Sequence, residues 1–150
     1  MLARYHLRPA VPADFSFIRG VHHASLRDVV TQVWGWDQEF QDKLFCDTFD
    51  AKKFQIIQVD DVDIGALEDE IRPDEWFLSN ILIAPEHQGQ GIGTRVILDL
   101  FARATAGNLP VTLTALRPNH RAKKLYERLG FVVKREDEVR YWMRRDTITS

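Results

Sequence analysis

Residues 76–104 constrain the fold more than any other stretch of the chain. Trp76-Phe77-Leu78-Ser79-Asn80-Ile81-Leu82-Ile83 is a strand-like run that stops at Ala84-Pro85, because proline cannot donate to a ladder. Gly89, Gly91 and Gly93 then alternate along His87-Gln88-Gly89-Gln90-Gly91-Ile92-Gly93-Thr94. Beyond them Ile92, Val96, Ile97, Leu100, Phe101 and Ala104 recur at spacings of three and four, which predicts an amphipathic helix. A strand, a glycine turn and a helix start together favour an anion. Glycine lets a ligand approach the backbone, and the first helical N–H groups lack partners and carry partial positive charge.

The type of turn follows from what is missing. A triphosphate loop needs Gly-Lys-Ser/Thr after its glycines, and no lysine follows here; a dinucleotide fingerprint needs glycine where Thr94 stands. The remaining pattern, Gln88-x-x-Gly91-x-Gly93, resembles the acetyl-coenzyme A pyrophosphate loop of the GNAT superfamily of N-acetyltransferases. A second block, Asn119-x-x-Ala122-x-x-x-Tyr126-x-x-x-Gly130-Phe131, is similar to the same superfamily. Read by itself, this block is a helix with Asn119 as N-cap, Ala122, Leu125, Tyr126 and Leu129 on one face, and Gly130 as its stop. An isolated Tyr126 would read as a core aromatic with its hydroxyl at the surface.

The resemblance covers about half the chain, from Phe54 onward, and implies more. The fold would be α+β: a mixed, mostly antiparallel sheet of six to seven strands with about four helices, splayed at the fourth and fifth strands. Residues 1–150 would form a single acetyltransferase domain. The backbone amides of Leu82 and Ile83 would meet the acetyl carbonyl and the pantetheine. Gln88 and the amides of Gly89, Gln90, Gly91, Ile92, Gly93 and Thr94 would take the pyrophosphate, and Asn119 would lie beside the pantetheine. Tyr126 would be the general acid for the leaving thiolate. Acetyl-CoA would be the donor co-substrate, with no metal, and the acceptor a primary amine on a small molecule, peptide or protein. The rival reading is a catalytically silent acyl-CoA sensor or scaffold.

Family members often carry a glutamate on the central strand as base. Here that strand offers Ser79 and Asn80, neither of which is a base. Glu68, Glu70, His22 and His23 are alternatives, and none is assigned. Trp34 and Trp36 flank Gly35, and serve either to pin the first helices to the core or to wall the acceptor pocket.

Composition narrows the class. Apolar content of 45% and charged content of 28% are those of a globular protein. A net charge of −2 gives no sign of a nucleic-acid or anionic-membrane partner. The single Cys46 excludes an internal disulfide and a cysteine zinc cluster, which fits a reducing compartment. No apolar run reaches membrane-span length and no signal-peptide core follows Met1, so a cytoplasmic location is expected. A homodimer is compatible with this reading.

The remaining elements follow in order. Tyr5–Arg8 predicts a strand, and Pro12-Ala13-Asp14 starts a helix buried through Phe15, Ile18, Val21, His22 and Leu26. Residues 30–36 read as a break. Asp37 caps a second helix in which Phe40, Leu44 and Phe45 repeat at helical spacing. Residues 54–59 and 62–67 form a hairpin around Asp60-Asp61, with Gly65 at a bulge or close approach. Residues 68–75, with five acids, read as a loop that borders the acceptor pocket. Residues 111–115 predict a strand, and 131–134 with 139–143 a closing pair. The tail over 146–150 is expected to fray.

Overall fold

A computed structural model describes residues 4–147. The tail expected to fray lies largely outside that range. Among the described residues, seven strands and four α-helices follow one another: β1 (Tyr5–Pro9), α1 (Phe15–Trp34), α2 (Gln38–Thr48), β2 (Phe54–Val59), β3 (Val62–Ile71), β4 (Trp76–Ile83), α3 (Ile92–Ala106), β5 (Val111–Leu116), α4 (His120–Arg128), β6 (Val132–Glu136) and β7 (Arg140–Arg145). The sheet order is β1-β2-β3-β4-β5-β7-β6. Every pairing with a defined register is antiparallel except β4 with β5, which is parallel and confined to Trp76↔Val111 and Phe77↔Thr112. Past that point the two strands splay.

The chain divides into two compact units, Met1–Glu68 with Asn80–Gly93, and Asp69–Ser79 with Thr94–Ser150. In the first, β1 and β2 pair from Tyr5↔Val59 to Pro9↔Gln55. β2 and β3 meet in a two-residue turn, with Asp60 at φ 51° and Asp61 at φ 64°, the left-handed pair that matches strand twist. A bulge interrupts that ladder between Ile57 and Gln58. The core of this unit gathers Ile18, Val21, Phe45, Phe54, Ile56, Ala66 and Leu82. In the second unit α3 buries Val96, Ile97, Leu100, Phe101 and Ala104, the periodicity read from the sequence. β7 pairs with β5 from Val111↔Arg145 to Leu116↔Arg140, and with β6 on its other edge.

Two expectations are corrected, and the face that α2 buries is new. The break expected over 30–36 is confined to 35–37: α1 runs to Trp34, because burial of Val30 outweighs the weak helix preference of β-branched residues. Gly35, at φ 76°, ends it. In α2 only Phe45 is buried, while Phe40 and Leu44, one turn apart, share the outward face. Finally, 68–71 is not loop. β3 continues through its acids because each finds a partner: Asn80 Nδ2 donates to Glu68 at 2.8 Å, Trp76 Nε1 to Asp69 at 2.7 Å, and Arg72 lies 3.5 Å from Glu70.

Candidate active site

The end of β4 is organised by a glycine opposite it and a glutamine beyond it. A Cβ on Gly65 of β3 would stand 2.1 Å from the Leu82 carbonyl oxygen and 3.2 Å from Ile83 Cα, so only glycine lets the two backbones approach this closely. The Ala84 N–H donates to the Ile64 carbonyl at 2.8 Å just beyond. After the short turn at Pro85–His87, the Gln88 side chain reaches back and donates to the Ile83 carbonyl at 2.8 Å. That bond assigns the Gln88 amide to holding the loop on the strand, a tertiary contact that spacing alone does not reveal.

Gly89 and Gly91 both lie at positive φ, 77° and 80°. Other residues adopt such angles only at a cost of about 1–2 kcal/mol. Residues 88–91 are largely exposed, and among the described residues the amides of Gly89, Gln90 and Gly91 meet no acceptor. Gly93 differs: it has an ordinary helical conformation, and a Cβ there would only touch Ile83 and Ile81 at 3.8 and 3.9 Å. It places the start of α3 against the side chains of β4. Leu82, Ile83, Gln88, Gly89, Gln90, Gly91, Ile92 and Gly93 thus belong to one unit. An exposed loop with two left-handed glycines and free amides, opening a 15-residue helix, fits a diphosphate.

The second unit holds Thr94, Asn119 and Tyr126. Asn119 Oδ1 accepts from Ala122 N at 3.2 Å and caps α4, as its position predicts. The other end of α4 closes in a Schellman motif. Phe131 N–H donates to the Tyr126 carbonyl at 3.0 Å and Gly130 N–H to that of Glu127 at 3.1 Å, with Gly130 at φ 96°. The hydrophobic contact that accompanies this motif is here the Tyr126 ring edge-on to Phe131, centroids 5.6 Å apart, and Phe131 in turn meets Phe101 at 5.3 Å. The helix stop therefore orients the tyrosine. Burial raises its phenol above the ordinary value, so it stays protonated at neutral pH. Among the described residues its hydroxyl has no hydrogen-bond partner. A protonated, unpartnered phenol is free to donate to a ligand.

The profile of the acetyltransferase (GNAT) family matches residues 22–131, more than two thirds of the chain. The chain belongs to that family. Solved structures agree in fold. The PaiA N-acetyltransferase of Thermoplasma acidophilum, in complex with coenzyme A, superposes with a TM-score of 0.78 at 17% identity, over 95% of this chain and 99% of that one. An acetyltransferase of Thermus thermophilus gives 0.72 at 22% identity, over 97% and 99%. A structure from Corynebacterium glutamicum described as histone acetyltransferase HPA2 and related acetyltransferase gives 0.69 at 20%, over 100% and 99%.

Other residues weighed for this GNAT protein are engaged elsewhere. Glu70 and Glu75 flank Arg72, and Thr112 Oγ1 donates to Glu75. Burial raises the Asp69 carboxyl despite the Trp76 indole. Most acids of this stretch are therefore held in local contacts, with Arg72 as the cation among them. Trp36 donates to Gln38 at 3.1 Å, and Arg27 lies over its ring at 5.5 Å, so one cation already occupies that aromatic. Trp34 is exposed. Among the described residues no group of three or more His, Cys, Asp or Glu could hold a metal, and no helix is long and apolar enough to cross a membrane.

Proposed function

We propose that this protein is an acetyl-CoA-dependent N-acetyltransferase that moves the acetyl group directly to a primary amine, working as one cytoplasmic domain over residues 1–150. The observation that carries the reading is the loop 88–91, whose two left-handed glycines leave free amides at the start of α3. Acetyl-CoA would supply the acetyl thioester when bound. The amides from Gly89 to Thr94 hold its diphosphate on the loop that Gln88 pins to β4, and Asn119, whose Oδ1 is used as a cap, has its Nδ2 left to meet the pantetheine. The amides of Leu82 and Ile83 orient the thioester carbonyl and stabilise charge on its oxygen, which backbone donors do without reorganisation. Tyr126 gives its phenolic proton to the departing sulfur.

An alkyl amine with pKa near 10.4 must first lose a proton, which costs about 4–5 kcal/mol at pH 7 at 1.36 kcal/mol per unit. The unpartnered Tyr126 hydroxyl favours an enzyme over a silent acyl-CoA sensor, which needs no proton donor. The test is a panel of amines incubated with acetyl-CoA and assayed for released thiol, alongside calorimetry with coenzyme A. Binding with thiol release on at least one amine is the expected result. Binding without release from any amine would select the sensor, and no binding would overturn both.

A further inference from the structure

A side-chain network in the first unit ties α1 to α2. His22 Nδ1 lies 3.1 Å from His23 Nδ1, and His23 Nε2 lies 2.9 Å from Asp42 Oδ1. Gln38 Nε2 donates to the same Asp42 oxygen at 2.9 Å, and Gln38 Oε1 is fixed by the Trp36 indole at 3.1 Å. His22 packs on Phe45 with ring centroids 5.0 Å apart, and His23 edges onto Trp36 at 5.2 Å. The rings are held, and so their protons can be placed.

Asp42 is ionised at neutral pH, since hydrogen bonds from Gln38 and His23 hold its carboxyl below the usual range. The His23 nitrogen facing it must therefore carry hydrogen. When His23 is neutral, its Nδ1 is bare. Two Nδ1 atoms at 3.1 Å attract only if one of them is protonated, so in that state the hydrogen sits on His22 Nδ1. His22 Nε2 is left with a free lone pair and, among the described residues, no partner.

We propose that His22 Nε2 is the base that deprotonates the acceptor ammonium, and that His23 with Asp42 stores the proton. This rests on the acetyltransferase reading above. As the ammonium N–H bond breaks, its electron pair stays on the amine nitrogen and a bond forms from the proton to His22 Nε2. The His22 Nδ1 proton passes to His23 Nδ1. His22 ends neutral, with hydrogen on Nε2, and His23 ends as an imidazolium beside the Asp42 carboxylate. Tyr126 serves the thiolate separately, with the second amine proton making good its loss, and the stored proton leaves to water.

The surroundings suit transfer and not retention at His22. Burial and the neighbouring His23 lower its own value to about 4, so positive charge is unfavourable there. Asp42 lies on the far side of His23. The other charged groups nearby are Arg19, which acts on Asp42, and Arg27, over Trp36. From the sheet, the cluster around Phe45 contributes only apolar Phe54, Ile56, Ala66 and Leu82. His22 packs on Phe45, which shares that cluster with Leu82 of the strand assigned to the thioester.

The tautomers are read by ¹⁵N NMR on histidine-labelled resting protein, a measurement that needs neither substrate nor variant. Hydrogen on His22 Nδ1 and His23 Nε2 is expected; hydrogen on His22 Nε2 at neutral pH would overturn the relay whatever the protein acetylates. The second arm is kinetic, with acetyl-CoA and n-butylamine. His22→Gln should lower kcat/KM for the amine about 10²–10⁴-fold at pH 7 with the acetyl-CoA KM unchanged, and the deficit should shrink about tenfold per pH unit towards the amine's own pKa. Asp42→Asn keeps an oxygen for both Gln38 and His23 while removing the charge, so the tautomers should persist while the rate falls about 10²-fold. A deficit constant with pH, or wild-type kcat/KM in either variant, would overturn the proposal. The expected tautomers without acetylation of any amine would instead place the failure in the acetyltransferase reading.

Discussion

Replacing Gly65 with alanine tests both the fold and the site. The new Cβ would start 2.1 Å from the Leu82 carbonyl oxygen, deep inside ordinary contact, and 3.2 Å from Ile83 Cα. Both obstacles are backbone, so no side chain can swing away. β3 and β4 must part locally by about 1 Å, and the Ala84–Ile64 hydrogen bond of 2.8 Å next to them would stretch out of range. Overpacking costs about 1–3 kcal/mol and the lost hydrogen bond about 1 kcal/mol more, together about 2–4 kcal/mol. At about 2–4 °C per kcal/mol for a chain of this size, Tm should fall by about 5–15 °C. Because Leu82 and Ile83 are the donors assigned to the thioester carbonyl, a displacement of about 1 Å should also lower kcat about 10²-fold. Gly20 is the internal control, since nothing lies within 4 Å of a Cβ there and it sits inside α1. Gly20→Ala should stabilise by about 0.5–1 kcal/mol and leave the rate alone. Thermal melts by circular dichroism and thiol-release kinetics read both effects. A Gly65→Ala protein that melts within about 1 °C of wild type at full rate would refute the close-approach argument.

Gly91→Ala forces a side chain into φ 80°, at a cost of about 1–2 kcal/mol, and should weaken coenzyme A binding at least about tenfold by calorimetry with little change in the far-ultraviolet spectrum. Tyr126→Phe keeps the ring contact with Phe131 and should lower kcat about 10–10³-fold while acetyl-CoA affinity stays constant; an unchanged kcat with no pre-steady-state burst of thiol would make the tyrosine structural. His22 resists protonation down to about pH 4 in the folded chain, whereas unfolded histidine charges near 6.5. The unfolded state thus binds more protons across that window, and stability falls as pH drops from 6.5 towards 4, by roughly 3 kcal/mol at 1.36 kcal/mol per unit. Urea midpoints should show that loss in wild type and a flatter acid limb in His22→Gln.

Features that depend on local spacing were legible in the sequence. The α3 stripe, the bounds of β4, the Asp60–Asp61 hairpin, the Asn119 cap and the Gly130 stop each follow from rules acting within a few residues. The misreadings share another cause. Whether residues 30–34 are helical is decided by what buries Val30, and whether 68–71 is strand by Asn80 and Trp76 across the hairpin. The outward turn of Phe40 and Leu44 likewise depends on which face of α2 meets the core. In the site, glycines announced the loop, but the bond from Gln88 to Ile83 and the histidine relay are side-chain contacts with no periodic signature. Two adjacent histidines became informative only with Asp42, 19 residues on, beside the second.

The relay also bears on which amine is the substrate. A base helps only when the proton is hard to remove. At pH 7 an α-amine near 7.7–8.0 costs about 1 kcal/mol to deprotonate, against about 4–5 kcal/mol for an alkyl amine near 10.4. An enzyme restricted to α-amines would gain little from a buried pair of histidines, and burying His22 costs stability in acid. The acidic stretch does not supply an alternative preference, since its negative charge attracts either amine in the protonated form and does not tell the two apart. Selection of an alkyl amine should therefore be kinetic and reside in the proton transfer. Comparing n-butylamine with glycinamide isolates it. Loss of His22 should lower kcat/KM for n-butylamine about 10²-fold or more at pH 7 and for glycinamide by less than about tenfold. Equal losses on the two amines would mean that His22 holds the acceptor and leaves its proton alone.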